Sequence, residues 1–181
     1  MAEYRVETAR VHPSAATLER RCREWYEAHG EAVYGYLRFH LPSADAAEDL
    51  TAEVFLRAVR AADRFDPNRG AARTWLLGIA RNALRDHRRR ERRRRQVPMD
   101  ALLDLKSEAP SPEERLLWRE TVARLLAAVA ELGDGDQELI GLRYGSGLDT
   151  AETAAALGLR KAVVRTRLWR ALARLRRIMA S

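Results

Sequence analysis

Residues 73–95 constrain this chain more than any other stretch, because they call for one helix with two unlike faces. At about 100° per residue, Trp75, Leu76, Ile79, Ala80, Ala83 and Leu84 share one side, an apolar arc wide enough to seat a helix on a core. Gly78, Arg81, Asn82, Arg85, Arg88, Arg89 and Arg92 share the other, cationic forks around a single amide. A helix packed on one side and cationic on the other suits a polyanion. The plainer reading is a solvated basic face. Residue choice weighs against it. The chain has 31 Arg and only two Lys, Lys106 and Lys161, although lysine serves solubility equally well. A GC-rich genome would also favour arginine codons, so the bias by itself is discounted.

The totals narrow the partner classes. With 181 residues and 46% apolar content, one medium domain or two small ones can bury a core. A net charge of +7 and an isoelectric point near 10.3 put nucleic acid first and an anionic membrane surface second. No apolar run approaches the roughly 20 residues of a membrane span, so no membrane insertion is expected. The opening residues are polar and lack the apolar core of a secretory signal. Cys22 is the only cysteine, which excludes an intramolecular disulfide and fits a reducing, cytoplasmic setting. His12, His29, His40 and His87 have no metal-ligand spacing. There is no Gly-rich phosphate loop, nucleophile elbow or zinc-protease motif. Catalytic residues, metals and cofactors are therefore all expected to be none, and the chain is not expected to be an enzyme.

The charge is unevenly spread. Residues 63–95 hold 12 basic and 4 acidic groups, and residues 149–181 hold 8 and 2. Between them, residues 96–114 hold 1 and 5. Two cationic elements flank an acidic connector, a pattern that predicts two contacts with one long polyanion.

The periodicity is helical throughout, with no strand pattern. Residues 1–16 read as a loose tail. From Thr17, Leu18, Cys22, Trp25 and Tyr26 recur at helical spacing until Gly30, and Val33, Tyr34, Leu37 and Leu41 continue to Pro42. Ser43 can cap a helix over 44–61 that buries Ala47, Leu50, Val54 and Ala58, widened by Phe55 and Val59, and shows Glu48, Asp49, Ala52, Glu53 and Arg57. Composition favours plain solvation for that acidic side. Residues 63–70 form a turn-rich loop in which Phe65 is either a core plug or an exposed stacking surface. Residues 96–111 lack periodicity and read as a flexible linker. Ser111, Pro112 and Glu114 open a helix to about Leu132, burying Leu116, Leu117, Val122, Leu125, Leu126 and Val129. Asp136 can cap a helix over 137–144. Asp149 and Glu152 start a short helix to Leu157, Gly158 supplies a tight turn, and a longer helix covers 161–179. Its buried stripe is Val164, Leu168, Ala171, Leu172 and Leu175, while Thr166, Arg167, Trp169, Arg170 and Arg174 point outward. Short helix, glycine turn and basic helix form a helix-turn-helix, whose second helix can enter a major groove. Arginine there reads guanine edges or clamps phosphate. The fold class is all-α: two small helical domains, 17–95 and 112–181, joined by a flexible linker.

At this point the chain resembles a bacterial RNA polymerase sigma factor of the extracytoplasmic-function (ECF) type. The resemblance covers about residues 18–178. Sigma region 2 is matched by Tyr34 to Leu37, Ala47 to Phe55, Phe65 and Trp75 to Asn82. Region 4, with its helix-turn-helix, is matched by Leu142 to Tyr144, Glu152 to Leu159 and Val164 to Ala171. The motifs stand in order, at family spacing, with no domain between the two halves. The resemblance implies a sigma factor that binds core RNA polymerase and directs initiation at particular promoters. Asp49, Leu50, Glu53 and Phe55 would dock on the β′ clamp helices, and region 4 on the β flap. That replaces the solvation reading of the acidic face. Phe65, Arg81, Asn82, Arg85, Arg88 and Arg89 would hold the −10 element, melted, with one base flipped out. Lys161, Arg165, Thr166, Arg167, Trp169 and Arg170 would read the −35 element as duplex. The acidic linker would thread toward the polymerase cleft. An anti-sigma factor is expected as a further partner. Ala52 stands where the family usually has Gln, which weakens one docking contact. Ala162 and Val163 stand where Gly-Thr is frequent, which removes a small polar residue at the helix start. Leu77 and Gly78 carry no side-chain hydrogen bond, so −10 reading would lean on Asn82 and the loop. The runner-up reading is a stand-alone helix-turn-helix regulator, which would leave the acidic face and the Phe65 loop unused. A small nuclease or recombinase comes third, for want of clustered carboxylates or a placed nucleophile.

Overall fold

The computed structural model describes residues 15–94 and 112–180. Residues 1–14 of the expected tail, the linker and the Ser111 cap lie outside the described residues, as do the side chains of Leu116 and Leu117, while Ala15 and Ala16, expected in the tail, open the first helix. Among the described residues there are seven α-helices and no strands: α1 (Ala15–Arg38), α2 (Ala44–Arg60), α3 (Ala72–Arg94), α4 (Pro112–Ala130), α5 (Asp134–Ile140), α6 (Thr150–Leu157) and α7 (Lys161–Ala180).

The first three helices form a bundle. α1 runs unbroken through Gly30, against the expected interruption. A glycine inside a helix costs about 1 kcal/mol relative to alanine, and a long helix packed along one side tolerates that. α2 begins where its cap dictates: the Ser43 hydroxyl accepts the Ala46 N–H at 3.1 Å, and Asp45 sits in the first turn. Val33, Tyr36 and Leu37 of α1, Ala47, Leu50, Val54 and Ala58 of α2, and Leu76, Leu77, Ala80, Ala83 and Leu84 of α3 fill one core. Leu77 is fully buried, so the apolar arc of α3 is wider than periodicity predicts.

The C-terminal helices close around Val129, Ile140, Ala171 and Leu175, with Leu139, Ala154 and Val164 beneath the helix-turn-helix. The helix expected at 137–144 starts earlier, at Asp134, and ends in a wider π turn over Gly141–Gly145. Asp149 and Glu152 make a reciprocal capping box on α6, each side chain accepting the other's backbone N–H at 2.7 Å. Gly158 sits in the left-handed region at φ 65°, giving the turn into α7.

The two halves touch, which the sequence reading does not anticipate. Leu142 and Leu148 belong to the same buried cluster as the first three helices. The π turn lies against α1 so closely that a Cβ added at Gly145 would stand 2.6 Å from the Gly35 carbonyl oxygen and 2.8 Å from a Phe39 ring carbon. Glycine at 145 is there because two backbones meet.

Candidate nucleic-acid interface

α3 carries the first basic face. Its apolar side is held by the bundle, and this turns Arg81, Asn82, Arg85, Arg88 and Arg89 away from that core. Asn82, Arg85 and Arg89 are exposed, with Arg85 Nη1 donating to Asn82 Oδ1 at 3.4 Å. Arg81 and Arg88 are partly covered by the C-terminal half. Arg81 Nε donates to Glu138 at 2.5 Å and Nη1 to the Ala156 carbonyl at 2.7 Å. Arg88 donates to Gln137 Oε1 at 3.0 Å and Asp134 Oδ1 at 3.4 Å. Arg73, at the start of α3, donates to the Ser146 carbonyl. A cavity of about 440 Å³ lies along this seam, between Tyr36, His40, Arg81, Arg85, Arg88 and Glu138.

His40 marks the floor of the seam. Its Nδ1 donates to the Tyr36 carbonyl at 2.8 Å, and its Nε2 is buried without a partner. Burial lowers its pKa to about 4, and the nearby Arg88 adds to that, so the ring is neutral near pH 7.

Phe65 turns out to be a plug. Its ring centroid lies 5.6 Å from Trp25, edge-on, and 5.2 Å from Trp75. The loop is pinned by Asp66, whose side chain accepts the Asn68 N–H at 2.9 Å. Any base held there would meet a half-buried ring anchored by two tryptophans.

On α2, Asp49 is exposed and Glu53 is partly covered. Burial pushes the Glu53 carboxyl up, and hydrogen bonds from Arg57 at 2.5 Å and Arg90 at 3.2 Å outweigh it, leaving it below the ordinary carboxylate value. Arg57 also donates to Asp86 of α3 at 2.9 Å. Leu50 and Phe55, expected on the docking surface, are 2% and 3% exposed. They belong to the core because α2 needs its apolar stripe there. Leu56 and Tyr26 are the exposed apolar side chains of this region.

α7 carries the second basic face. Lys161, Arg165, Thr166 and Arg170 are exposed, and Trp169 is 70% exposed among them. An indole left in water on a cationic helix gains nothing from the fold and has apolar area to offer a partner. Arg167 is partly covered, beside Gly135. Thr166 Oγ1 donates back to the Ala162 carbonyl at 3.1 Å, which leaves its lone pairs outward.

Sequence reasoning missed the partners of the α3 arginines: Asp134, Gln137 and Glu138 of α5. The density of acids at the start of α5 was the available signal, and it reads as ordinary capping until α3 is seen beside it. Among the described residues no group of three or more His, Cys, Asp or Glu side chains could hold a metal ion, and no helix is long and apolar enough to cross a membrane.

Two basic helical faces, one on a three-helix bundle with an aromatic-floored loop and one on a helix-turn-helix, define a bipartite DNA-binding transcription protein. The sigma-70 region 2 model matches residues 25–94, and the sigma-70 region 4 model matches residues 123–175. The chain is 36% identical over 154 residues to the ECF RNA polymerase sigma factor BldN of Streptomyces coelicolor, covering 85% of this chain and 58% of that protein. It is 34% identical to the RNA polymerase sigma factor CnrH of Cupriavidus metallidurans, covering 81% of this chain and 80% of CnrH. The structure of CnrH in complex with the cytosolic domain of CnrY matches with a TM-score of 0.64 at 29% identity, covering 90% of this chain and 89% of that one. The chain belongs to the ECF sigma factors of the sigma-70 family.

Proposed function

We propose that this chain binds core RNA polymerase, reads a promoter at two separated elements and promotes melting of the start site. The observation that carries the reading is the pairing of two different basic faces in one chain. The α7 face, with Arg165, Thr166, Trp169 and Arg170 exposed, has the shape of a major-groove reader. The α3 face, with Asn82, Arg85 and Arg89 exposed beside the Phe65 loop, suits a melted strand, which needs cationic backbone contacts and an aromatic wall. Lys161, Arg165, Thr166, Arg167, Trp169 and Arg170 are assigned to the −35 element, and Phe65, Arg81, Asn82, Arg85, Arg88 and Arg89 to the −10 element. Phe65 serves as the floor of the loop.

Polymerase docking is assigned to the outer side of α2, through Asp49 and Glu53, with Leu50 and Phe55 holding that helix in place, and to region 4 against the β flap. Glu53 reaches a partner only by sharing or releasing Arg57 and Arg90. An anti-sigma factor is the proposed regulator, supported by the relative CnrH, whose solved structure is a complex with a second protein. The chain works in the cytoplasm, and no catalytic role is assigned to it.

Run-off transcription with core polymerase tests the function. Initiation from a defined start supports it; duplex binding with no initiation under any condition favours the stand-alone regulator. Asp49→Arg should abolish holoenzyme assembly on a native gel while leaving the circular dichroism of the chain unchanged. Normal assembly by that variant would remove α2 from the docking surface.

A further inference from the structure

The outward side of α7 is not uniformly cationic. Val164, Leu168, Ala171 and Leu175 hold the helix on its core. At about 100° per residue, the line directly opposite runs Ala162, Thr166, Trp169 and Ala173, and none of these carries a charge. Arg165 and Arg176 border that line on one side, and Arg170 and Arg177 on the other. Val163, 40% exposed, adds apolar surface on the Arg170 side at the start of the helix. Hydrogen-bond donors are scarce along the line. Ala162 and Ala173 have no polar side-chain atom. The Thr166 hydroxyl donates to the Ala162 carbonyl, so Thr166 offers a methyl and a lone pair. Trp169 offers a broad ring and a single N–H.

Base edges in the major groove ask different things of such a surface. Guanine shows two acceptors and suits an arginine fork, adenine shows an acceptor and a donor, and cytosine shows a donor. Thymine sets a methyl group beside an acceptor oxygen, and an apolar ring with one N–H answers both. We propose that the uncharged line of α7 reads the 5-methyl groups of thymine, with Trp169 as the specificity-determining residue. This rests on the assignment of α7 to duplex reading made above. Ala162 and Thr166 lie in the first two turns, the part of a recognition helix that meets base edges, and Trp169 follows one turn on. The bordering arginines lie toward the walls of the groove, so they hold the uncharged line against its floor. Trp169 is 70% exposed in the free chain, and its ring leaves water only when an apolar group of a partner covers it.

The test uses the full chain. Duplexes that it enriches from a random-sequence pool supply the preferred element. That element is then made twice, once with thymine and once with deoxyuridine, which lacks only the 5-methyl group. Each contacted thymine replaced in this way should weaken binding about fourfold, read by fluorescence anisotropy at fixed salt. Trp169→Ala should bind the two probes equally. Trp169→Phe, which keeps an apolar ring, should retain a preference for thymine. Because the ring is exposed, both variants fold, which circular dichroism checks. Arg176→Ala should weaken both probes alike and leave their ratio unchanged. Equal binding of the two probes by the natural chain, a preference that survives intact in Trp169→Ala, or a pool from which no sequence is enriched would overturn the proposal. Run-off transcription with core polymerase separates this from the promoter assignment. Initiation of equal strength from thymine and deoxyuridine templates removes the methyl reading alone. Discrimination against deoxyuridine with no initiation from either template keeps the methyl reading and removes the promoter assignment.

Discussion

At the scale of single residues, the two basic faces ask for different experiments. Arg165 and Arg170 are exposed on α7, with no described acceptor to hold them. If they read base edges, Arg165→Ala and Arg170→Ala each cost about 1–3 kcal/mol on the cognate −35 sequence and little on a scrambled one. Equal losses on both sequences, measured by gel shift at fixed salt, would make them phosphate contacts. His40 gives a pH signature. Its folded pKa, about 4, lies below the ordinary 6.5 of an imidazole because the ring is buried beneath the seam and Arg88 stands near it, which together outweigh the hydrogen bond to Tyr36 and the opposing pull of Glu138 and Asp134. The unfolded chain therefore takes up the proton first as pH falls. The stability tied to the neutral ring is complete above about pH 6.5 and drains away down to about pH 4, by roughly 3 kcal/mol in all. Thermal melts at neutral and mildly acidic pH should show a smaller acid loss in His40→Phe than in the natural chain. An unchanged slope would show that the carboxylates carry the whole effect.

At the scale of elements, each helix is placed by a local signal and then spent on one neighbour. α2 owes its start to Ser43, and Ser43→Ala should lower stability by about 1 kcal/mol in urea titration without changing DNA contacts. Loss of DNA binding at full stability would mean that Ser43 does something other than cap. α6 is started by the reciprocal pair of Asp149 and Glu152 and stopped by Gly158, so its axis, and with it the entry of α7, is determined at both ends. The backbone N–H of Glu152 holds the Asp149 carboxyl below its ordinary value. That contribution is present above the usual carboxylate range and is lost as pH falls through it. α3 is the element that both halves need. Its inner side belongs to the bundle core, and its outer side is shared between solvent and α5.

At the scale of the whole molecule, salt acts on two processes with opposite sense. Screening weakens the contacts of arginine with DNA, and it also weakens the contacts of Arg81 and Arg88 with α5. Duplex binding through the open α7 face should therefore fall steeply and linearly in a plot of log affinity against log salt. Single-strand binding should fall less steeply, since each increment of salt also frees part of the α3 face. Two identical slopes in the same titration would show that the two ligands use one site.

How much of this could be read from residue order depends on how local each cause is. The helix-turn-helix was legible because its signals are local: a capping box at Asp149 and Glu152, a glycine with positive φ at 158, and an apolar stripe at helical spacing. The two faces of α3 were legible for the same reason. The unbroken α1 was not, because packing against α2 and α3 outweighs the local cost of Gly30. The role of Phe65 stayed open in the sequence, since a plug and a stacking surface need the same residue; only its distances to Trp25 and Trp75 chose between them. The burial of Leu50 and Phe55 was legible in the apolar stripe of α2, and it is the docking role implied by the family motif that their burial turns into one of holding the helix. The seam between the halves was the least legible feature. It depends on Gly35 meeting Gly145 and Arg81 meeting Glu138, pairs far apart in the chain, and no periodicity encodes which distant acid an arginine finds. Residue order by itself determined the helices, their two basic faces and the family. Tertiary structure alone decided which side chains of those faces are open and which, like Arg81 and Arg88, already hold partners, because availability is a matter of what packs against what.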